Sequence, residues 1–244
     1  MAIETEGELY RQAALRKGDF ITEGLVEDCR EKYPIITVSL NDGDLKVLRV
    51  NSFGMVIPYL KRIVEVINNN LSQEYPRFTI EQLIEQFHEL PDGRTLDFEE
   101  TWRGNTFMIE ERGDLVGVAI GRREVVVGKD NVHEFTGRGF VPVVAASGQI
   151  RGTFKVALLA LLPMKSLAES GVKEIRLSCA QSNVFAGKLV SRLAFERWQD
   201  GNWIRYRMNP TIGDNFFTFV VQRLGLEEND IQKLILPIDI GKQT

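Results

Sequence analysis

The stretch Ala145–Leu162, AASGQIRGTFKVALLALL, limits the fold more than any other part of the sequence. A strand-like segment passes through Gln149-Ile150-Arg151-Gly152 directly into a long apolar run, an order typical of a strand, a tight turn and a buried helix. Such a turn can be a plain connection. It can also hold a phosphate, because the first amides of a helix have no partner inside the helix and attract anions. The sequence of the turn is compatible with both interpretations.

The composition fits a soluble globular chain and excludes several function classes. Of the 244 residues, 43% are hydrophobic and 26% charged, which allows one large domain with appended pieces. The net charge of −4 provides no overall attraction for nucleic acid or an anionic membrane. Cys29 and Cys179 stand far apart without metal-ligand spacing, so we expect no disulfide framework, no metal site and a reducing, cytoplasmic compartment. The N-terminus MAIETEGELYRQ lacks a signal-peptide pattern, and the longest apolar run, Val156–Met164, is too short to cross a bilayer.

The first half of the chain predicts two strands followed by two helices. The strands are expected at Ile35–Leu40 and Leu45–Val50, the second of which alternates apolar and charged residues. A helix over Val56–Leu71 has Pro58 in its first turn and four apolar side chains on one face, namely Ile57, Leu60, Val64 and Ile67. A second helix is expected over Thr79–Leu90, capped by Thr79 with Gln82 in capping-box position.

The second half begins with a hairpin and continues into the stretch described first. Thr106–Glu111 and Leu115–Gly121 flank the turn RGD and predict two antiparallel strands. A fourth strand at Phe140–Ala146 precedes the glycine turn and the apolar helix. Pro163 should break or kink that helix, and Gly171 should end it.

The remaining segments predict a strand, a short helix and a closing hairpin. GVKEIRLSCA indicates a buried strand, and NVFAGKLVSRLAF a helix capped by Asn183. ERWQDGNWIRYRMN predicts a hairpin around Asp200-Gly201. In its second arm, Trp203, Arg205 and Arg207 share one face, and Ile204, Tyr206 and Met208 share the other.

This order of elements predicts an α/β fold with a central mixed sheet flanked by helices. We expect an N-terminal extension at 1–44, one domain at 45–208 and a C-terminal extension packed on the domain at 209–244. Leu45–Met208, about two-thirds of the chain, resembles the GNAT superfamily of acyl-CoA-dependent N-acyltransferases. The segments that carry the resemblance are FMIEERGDLVGVAIG, GQIRGTFKVALLALL and GVKEIRLSCAQSNVFAGKLVSRLAF.

The resemblance implies a coenzyme A site at the glycine turn. In the family, a Gln or Arg, two residues, a Gly, one residue and a Gly or Ala form a loop whose amides bind the CoA pyrophosphate. Gln149–Phe154 matches the first Gly with Gly152 but has Phe154 where the last small residue belongs. We expect the amides of Arg151, Gly152, Thr153, Phe154 and Lys155 to donate, with added charge from Arg151 and Lys155.

The resemblance also implies that the pantetheine arm pairs with the edge of the fourth strand. The backbone of Val143, Val144, Ala145 and Ala146 would then bind it. Pro142 cannot donate to a ladder, so it should lie near the start of the strand or where pairing is already broken. Asn183 could hold the ligand or a water through its amide, although a helix cap explains it equally well.

Catalysis requires a base and an acid, and the resemblance is weaker here. The family commonly protonates the leaving thiolate from a Tyr in the last helix, a position that Val190 occupies in this chain. Tyr206 is the substitute candidate, and it is also compatible with cross-strand packing. For the base, one of Glu110 and Glu111 should face the cleft by strand alternation. His133, expected in the loop before the fourth strand, is second, since histidine titrates near neutrality. A position on the solvated surface explains Glu110, Glu111 and His133 equally well.

The resemblance therefore implies an N-acyltransferase that transfers an acyl group from an acyl-CoA, by analogy acetyl-CoA, to a primary amine of a small molecule or protein. The absent Tyr and Phe154 favour an alternative, a non-catalytic module on the same fold that binds partners. A third alternative keeps catalysis with a macromolecular acceptor such as a protein, tRNA or DNA, and the acidic balance argues against nucleic acid. No membrane partner is expected, and a homodimer is compatible with the sequence.

Overall fold

A single mixed sheet of eight strands organises the fold. The computed structural model describes residues 21–33, 35–40, 45–70, 76–88, 104–127, 133–181, 183–209, 211 and 214–236. The strand order is β1-β2-β3-β4-β5-β6-β8-β7, and the strands are β1 (Ile36–Leu40), β2 (Leu45–Val50), β3 (Thr106–Glu111), β4 (Asp114–Val127), β5 (His133–Ala146), β6 (Glu174–Ala180), β7 (Ala194–Asp200) and β8 (Trp203–Met208). The predicted α/β class with a central mixed sheet is confirmed.

All neighbouring strands pair antiparallel except β5 and β6, which are parallel. The parallel pair is joined by helix α5 (Phe154–Glu169), as a crossover between parallel strands requires. The predicted hairpin is confirmed, with the first arm at the expected bounds. The other two strands are longer than expected, because β4 continues from Gly121 to Val127 and β5 begins seven residues before Phe140.

Helix α5 packs on one face of the sheet and forms the centre of the larger core. Its apolar side chains are almost all buried, from Val156 to Leu167. A Cβ added to Gly117 would lie 2.7 Å from Leu159 Cδ2, and one added to Gly121 would lie 2.9 Å from Pro163 Cβ. Glycines in β4 therefore allow this close approach. The prediction that Pro163 breaks or kinks α5 is corrected in part, because the helix continues through it to Glu169.

In the described part of the chain, four helices cover the opposite face over β2 to β5. They are α1 (Glu23–Lys32), α2 (Phe53–Val56), α3 (Leu60–Asn68) and α4 (Ile80–His88). The predicted helix Val56–Leu71 is divided, because a 3-10 turn with Pro58 at its start separates α2 from α3. The buried face of α3 consists of Leu60, Ile63, Val66 and Ile67, with Val64 only partly buried.

The predicted capping box at the start of α4 is confirmed. Thr79 Oγ1 accepts from the amide of Gln82 at 3.2 Å, and Gln82 Oε1 accepts from the amide of Thr79 at 3.0 Å. The two side chains thus satisfy two amides that the helix leaves without partners.

Three further helices lie on the α5 side of the sheet. Helix α6 (Val184–Ser191) packs under β7 and β8, while α7 (Asp214–Arg223) and α8 (Glu228–Ile235) pack against α5. The last two lie within 209–244, the region that the sequence predicts as a C-terminal extension. Lys165 of α5 forms an ion pair with Asp214 at the start of α7. Among the helices described, none is both long and apolar enough to cross a membrane.

A buried arginine fixes α8 to the sheet. Arg49 of β2 is 2% exposed and donates to the carbonyl oxygens of Gly104 at 2.9 Å and Leu236 at 2.6 Å. Its Nη1 also lies 3.3 Å from Lys233 O, so the cation sits at the carbonyl end of α8, where a helix favours positive charge. Burial lowers the pKa of Arg49 to about 10, which leaves it charged at neutral pH. The alternating pattern of β2 did not predict this buried position.

Candidate functional site

The sheet opens between β5 and β6. The two strands pair only over Arg138↔Glu174, Gly139↔Ile175 and Phe140↔Arg176, although both strands continue beyond these residues. Past this point β5 pairs only with β4, and β6 pairs only with β8. The opening therefore widens from Phe140 toward the carboxyl ends of both strands.

Main-chain groups of β5 line one side of this opening. The amide of Ser147 donates to Val116 O at 2.7 Å, so Ala145 and Val143 also direct their amides and carbonyls toward β4. By alternation, the amides and carbonyls of Val144 and Ala146 point into the opening. The Ala146 carbonyl already accepts from Asn70 Nδ2 at 2.8 Å and Arg151 Nε at 3.4 Å. This leaves the amides of Val144 and Ala146 and the carbonyl of Val144 for a ligand.

Main-chain groups of β6 line the other side of the opening. The amide of Gln181 donates to Asn202 O at 2.9 Å, which extends the β6–β8 ladder beyond Ala180. Cys179 and Leu177 then face β8, and the main-chain groups of Ser178 and Ala180 face the opening. Two strand edges thus face each other without pairing.

Pro142 lies where the sequence predicted it should, at a break in pairing. The β4–β5 register shifts between Ile120↔Val143 and Arg122↔Phe140, so β5 has an extra residue at this bulge. A proline is tolerated there because no ladder amide is required.

The turn before α5 closes the wide end of the opening. Ile150 is fully buried and anchors the turn, while Gly148, Gln149, Arg151 and Gly152 are exposed. Gly152 has φ +76, a left-handed value that favours glycine. Thr153 is the N-cap residue, yet its hydroxyl makes no cap bond and donates instead to Ile150 O at 2.6 Å. The first amides of α5 therefore have neither an intrahelical acceptor nor a side-chain cap.

The aromatic ring of Phe154, which departs from the family pattern, contacts the C-terminal extension. It lies 5.5 Å from the ring of Phe219 in α7, in an edge-on arrangement. The large residue at this position is thus accommodated by a helix outside the domain that resembles the family.

Both predicted cations of the turn have protein partners. Arg151 Nη2 donates to Asn69 O at 2.7 Å, which ties the turn to the end of α3. Lys155, in the first turn of α5, forms an ion pair with Glu111 at the end of β3. Glu111 therefore lies beside the turn. The sequence pattern gave no signal of this pairing or of the Asn70 contact.

Glu110 points to the other face of the sheet. It accepts a hydrogen bond from Tyr59, whose pKa is raised to about 12 by burial and by the charge and hydrogen bond of Glu110. Glu110 pairs with Leu115, which lies two residues before Gly117 on β4. Gly117 in turn pairs with Ala146, the last residue of β5. Glu110 and Glu111 therefore both lie at the wide end of the opening.

His133 is not in a loop, which corrects that expectation. It is the first residue of β5 and pairs with Val127 of β4. Ten residues separate it from Val143, or about 30 Å along a strand. The structure does not bring His133 to the wide end of the opening, and we assign it no part in the reaction.

Tyr206 lies beneath α6. The predicted alternation of β8 is confirmed, since Tyr206 and Met208 are buried and Trp203 and Arg205 are exposed. The Tyr206 hydroxyl hydrogen-bonds Ser191 at the end of α6 and accepts from Cys179 Sγ at 3.8 Å. Burial raises the pKa of Tyr206, so the phenol is protonated at neutral pH. The side chain is only 1% exposed.

Helix α6 is shorter than the sequence predicts. Helix α6 ends at Ser191, and Ala194 already belongs to β7. Val190, at the family's Tyr position, is buried. Asn183 caps α6, because its Oδ1 accepts from the amide of Ala186 at 3.1 Å. Within the described ranges, no group of three His, Cys, Asp or Glu side chains could hold a metal ion.

Comparison with known proteins returns similar structures and no sequence relatives. No protein-family model matches the sequence, and no curated protein matches it. The PaiA N-acetyltransferase from Thermoplasma acidophilum, in complex with coenzyme A, is similar over 68% of this chain and 98% of its own, at 13% identity and a TM-score of 0.44. The diaminobutyrate acetyltransferase EctA from Paenibacillus lautus, with its substrate and coenzyme A, is similar over 68% and 95%, at 15% identity and 0.44.

The GNAT domain of S. lividans PAT is similar over 73% of this chain and 99% of its own, at 14% identity and a TM-score of 0.47. This domain carries the name of the family that the sequence resembles. Identities and TM-scores at this level transfer no activity and no substrate, so function has to be argued from the residues of this chain.

Proposed function

We propose that this chain is an acyl-CoA-dependent N-acyltransferase. The observation that carries the proposal is one juxtaposition. An unpaired stretch of β5, at Val144 and Ala146, leads directly into a helix whose first amides are uncapped. An extended ligand with amide groups at one end and a pyrophosphate at the other matches this arrangement. Acyl-CoA has that chemistry.

The residues present fit such a ligand. A pantetheine amide can pair with the free amide and carbonyl of Val144, as a strand would. The pyrophosphate can accept from the amides of Arg151, Gly152, Phe154 and Lys155, where the helix dipole favours an anion, whereas the amide of Thr153 already donates to Ile150 O at 3.2 Å. A Cβ at Gly152 would meet no protein atom within 4 Å, so the space beside this glycine is open to a ligand. Arg151 adds positive charge to that space.

Lys155 and Glu111 lie at the same end of the opening as the proposed pyrophosphate site. Their ion pair is close to neutral overall, so the attraction for phosphate rests on the amides and Arg151. We propose that Glu111 positions Lys155 rather than acting as a base. Glu110 points to the other face of the sheet, and both glutamates lie at the wide end of the opening, where the phosphates rather than the thioester would bind, so we assign neither as the base.

The reaction has a simple balance. The amine nitrogen forms a bond to the acyl carbon, the carbon–sulfur bond breaks, and the amine proton leaves to a base or water. If the phosphates lie at α5, the thioester lies toward the closed end of the opening, near the Pro142 bulge. The thiolate can depart without an acid, because thiols have a pKa of about 8.5. Tyr206 can supply a proton only if the opening reaches its buried hydroxyl.

A non-catalytic CoA-binding protein is the second candidate function. Two observations favour it: Val190 occupies the family's acid position, and Tyr206 is fully enclosed. The same fold and the same CoA site would then serve partner binding. Acetyl-CoA as donor, and an amine of a small molecule or of a protein as acceptor, are proposed from the resemblance only.

Titration calorimetry with CoA, followed by an acetyl-transfer assay against a panel of primary amines, tests the proposal. We expect CoA to bind and at least one amine to be acetylated. Glu110→Gln should leave the maximal rate within about twofold of the wild type, and a loss of about 10²- to 10⁴-fold would instead assign Glu110 as the base. Glu111→Gln is the matched control and should affect CoA affinity instead. Binding without turnover supports the non-catalytic candidate, and no binding at millimolar CoA contradicts both.

A further inference from the structure

Exposed aromatic rings lie beside the uncapped start of α5. Phe154 is the first residue of that helix, and both Phe154 and Phe219 of α7 are 41% exposed despite touching each other. Phe216 stacks on Phe219 with ring centroids 6.5 Å apart. These three rings, which we call the aromatic platform, include two from the C-terminal extension. The platform begins at Phe154, whose own amide is among those proposed to bind the pyrophosphate.

A cation completes this surface. The guanidinium carbon of Arg223 lies 5.3 Å from the centroid of the Phe219 ring. Within the part of the chain that the structure describes, no carboxylate forms a salt bridge with Arg223. An exposed aromatic face next to an arginine without such a partner suits a ligand that is itself aromatic and anionic.

We propose that the aromatic platform and Arg223 bind the adenosine 3′-phosphate end of coenzyme A. This inference rests on the proposed function, because the nucleotide is covalently attached to the pyrophosphate that would occupy the start of α5. Adenine would pack against the exposed part of the Phe219 ring, and Arg223 would pair with the 3′-phosphate. The C-terminal extension thereby becomes part of the cofactor site.

The chemistry favours a nucleotide over an apolar partner. Base–aromatic stacking tolerates any purine orientation, and an arginine next to the ring adds attraction for phosphate. An apolar peptide or a second copy of this chain would gain from the rings but not from Arg223. The platform also explains why a bulky residue at position 154 is compatible with CoA binding. Phe154 is directed at α7, where it supports Phe219 instead of filling the space of the phosphate.

Calorimetry with CoA, 3′-dephospho-CoA and 4′-phosphopantetheine tests the inference. Phe219→Leu should weaken binding of CoA and of dephospho-CoA roughly tenfold and leave phosphopantetheine binding unchanged, since phosphopantetheine alone of the three lacks adenine. Arg223→Gln should weaken CoA binding roughly fivefold and leave dephospho-CoA binding unchanged. The matched control is Phe195→Leu, which removes an exposed ring that also lies beside an arginine, 5.7 Å from Arg207, on β7. It should change none of the three affinities.

The outcomes separate this inference from the proposed function. Wild-type protein that binds CoA and phosphopantetheine equally, with no effect of Phe219→Leu, overturns the adenosine site and leaves the proposed function intact. Equal losses of affinity for CoA and phosphopantetheine in Phe219→Leu also overturn the adenosine site, because they indicate that the variant disturbs the turn before α5. If Phe219→Leu changes the oligomeric state measured by light scattering and leaves CoA affinity unchanged, the platform contacts a second copy of this chain. That result also overturns the adenosine site. Wild-type protein that binds no CoA removes the proposed function itself.

Discussion

Helices α5 and α6 begin on the two sides of the same opening, and their first turns are built differently. At α6, Asn183 folds its side chain back onto the amide of Ala186. At α5, the hydroxyl of Thr153 turns away and bonds Ile150 O. The capped helix satisfies its own amides. The uncapped helix needs water or an anion to do so, and it follows the strand edge that lacks a partner. The difference indicates which of the two helix starts is available to a ligand.

The largest expected effect concerns the unpaired strand edge. Val144→Pro removes an amide that points into the opening and does not serve the β4 ladder, so the fold should be retained. We expect CoA affinity to fall about 10- to 100-fold, because a ligand carbonyl loses its donor and is left without a partner against the strand. Calorimetry measures the loss.

Ala145→Pro is the control for that change, since the Ala145 amide faces β4. It should lower the melting temperature strongly by removing a ladder bond. If Val144→Pro binds CoA as tightly as the wild type, the pantetheine does not pair with β5.

The next effect distinguishes the two ends of α5. Gly152 and Gly171 have similar left-handed φ values, +76 and +84, and neither would bring a Cβ within 4 Å of another protein atom. Leu at either position should cost a similar amount of stability, about 1–2 kcal/mol from the backbone alone. Only Gly152→Leu should also weaken CoA binding, by about tenfold or more, because its side chain occupies the phosphate space. Equal CoA affinities for the two variants would contradict a phosphate site at the turn.

A smaller effect tests the caps themselves. Asn183→Ala should lower the free energy of unfolding by about 1 kcal/mol, the usual cost of losing an N-cap bond. Thr153→Ala removes no cap bond, and we expect a loss of less than about 0.5 kcal/mol. Denaturant unfolding compares the two. A Thr153→Ala loss as large as that of Asn183→Ala would mean that the start of α5 is stabilised by its own side chain after all.

The smallest effect concerns the hydroxyl under α6. Tyr206→Phe removes the bonds to Ser191 and Cys179 and keeps the ring, so we expect a stability loss of about 1 kcal/mol and little change in rate. A large rate loss at an unchanged melting temperature would instead assign Tyr206 as the acid, as the sequence predicts.

Local patterns predicted local structure well. The arms of the first hairpin, the capping box at Thr79 and the cap at Asn183 depend on residues close in sequence, and all three are confirmed. The long helix predicted from Val56 begins with a 3-10 turn at Ile57–Tyr59 instead of an α-helical turn, a difference that the apolar periodicity across Pro58 does not reveal. The extra length of β4 and β5 was missed because glycines and charged residues there resemble a loop.

The site was harder to predict because long-range contacts form it. The ion pair of Lys155 with Glu111 and the amide of Asn70 on Ala146 O join residues 44 and 76 positions apart. The buried position of Arg49 depends on carbonyls of α8, which no pattern in β2 indicates. The resemblance located the turn and the strand edge. It could not indicate that α7 contacts Phe154.

Hydrogen exchange of individual amides, measured by NMR with and without CoA, tests the central claim most directly. We predict that CoA slows exchange at Val144 and Ala146 and at the first amides of α5, and leaves the amides at the start of α6 unchanged. Slowed exchange confined to other parts of the chain, or no change at Val144 and in the first turn of α5 at saturating CoA, would contradict the account.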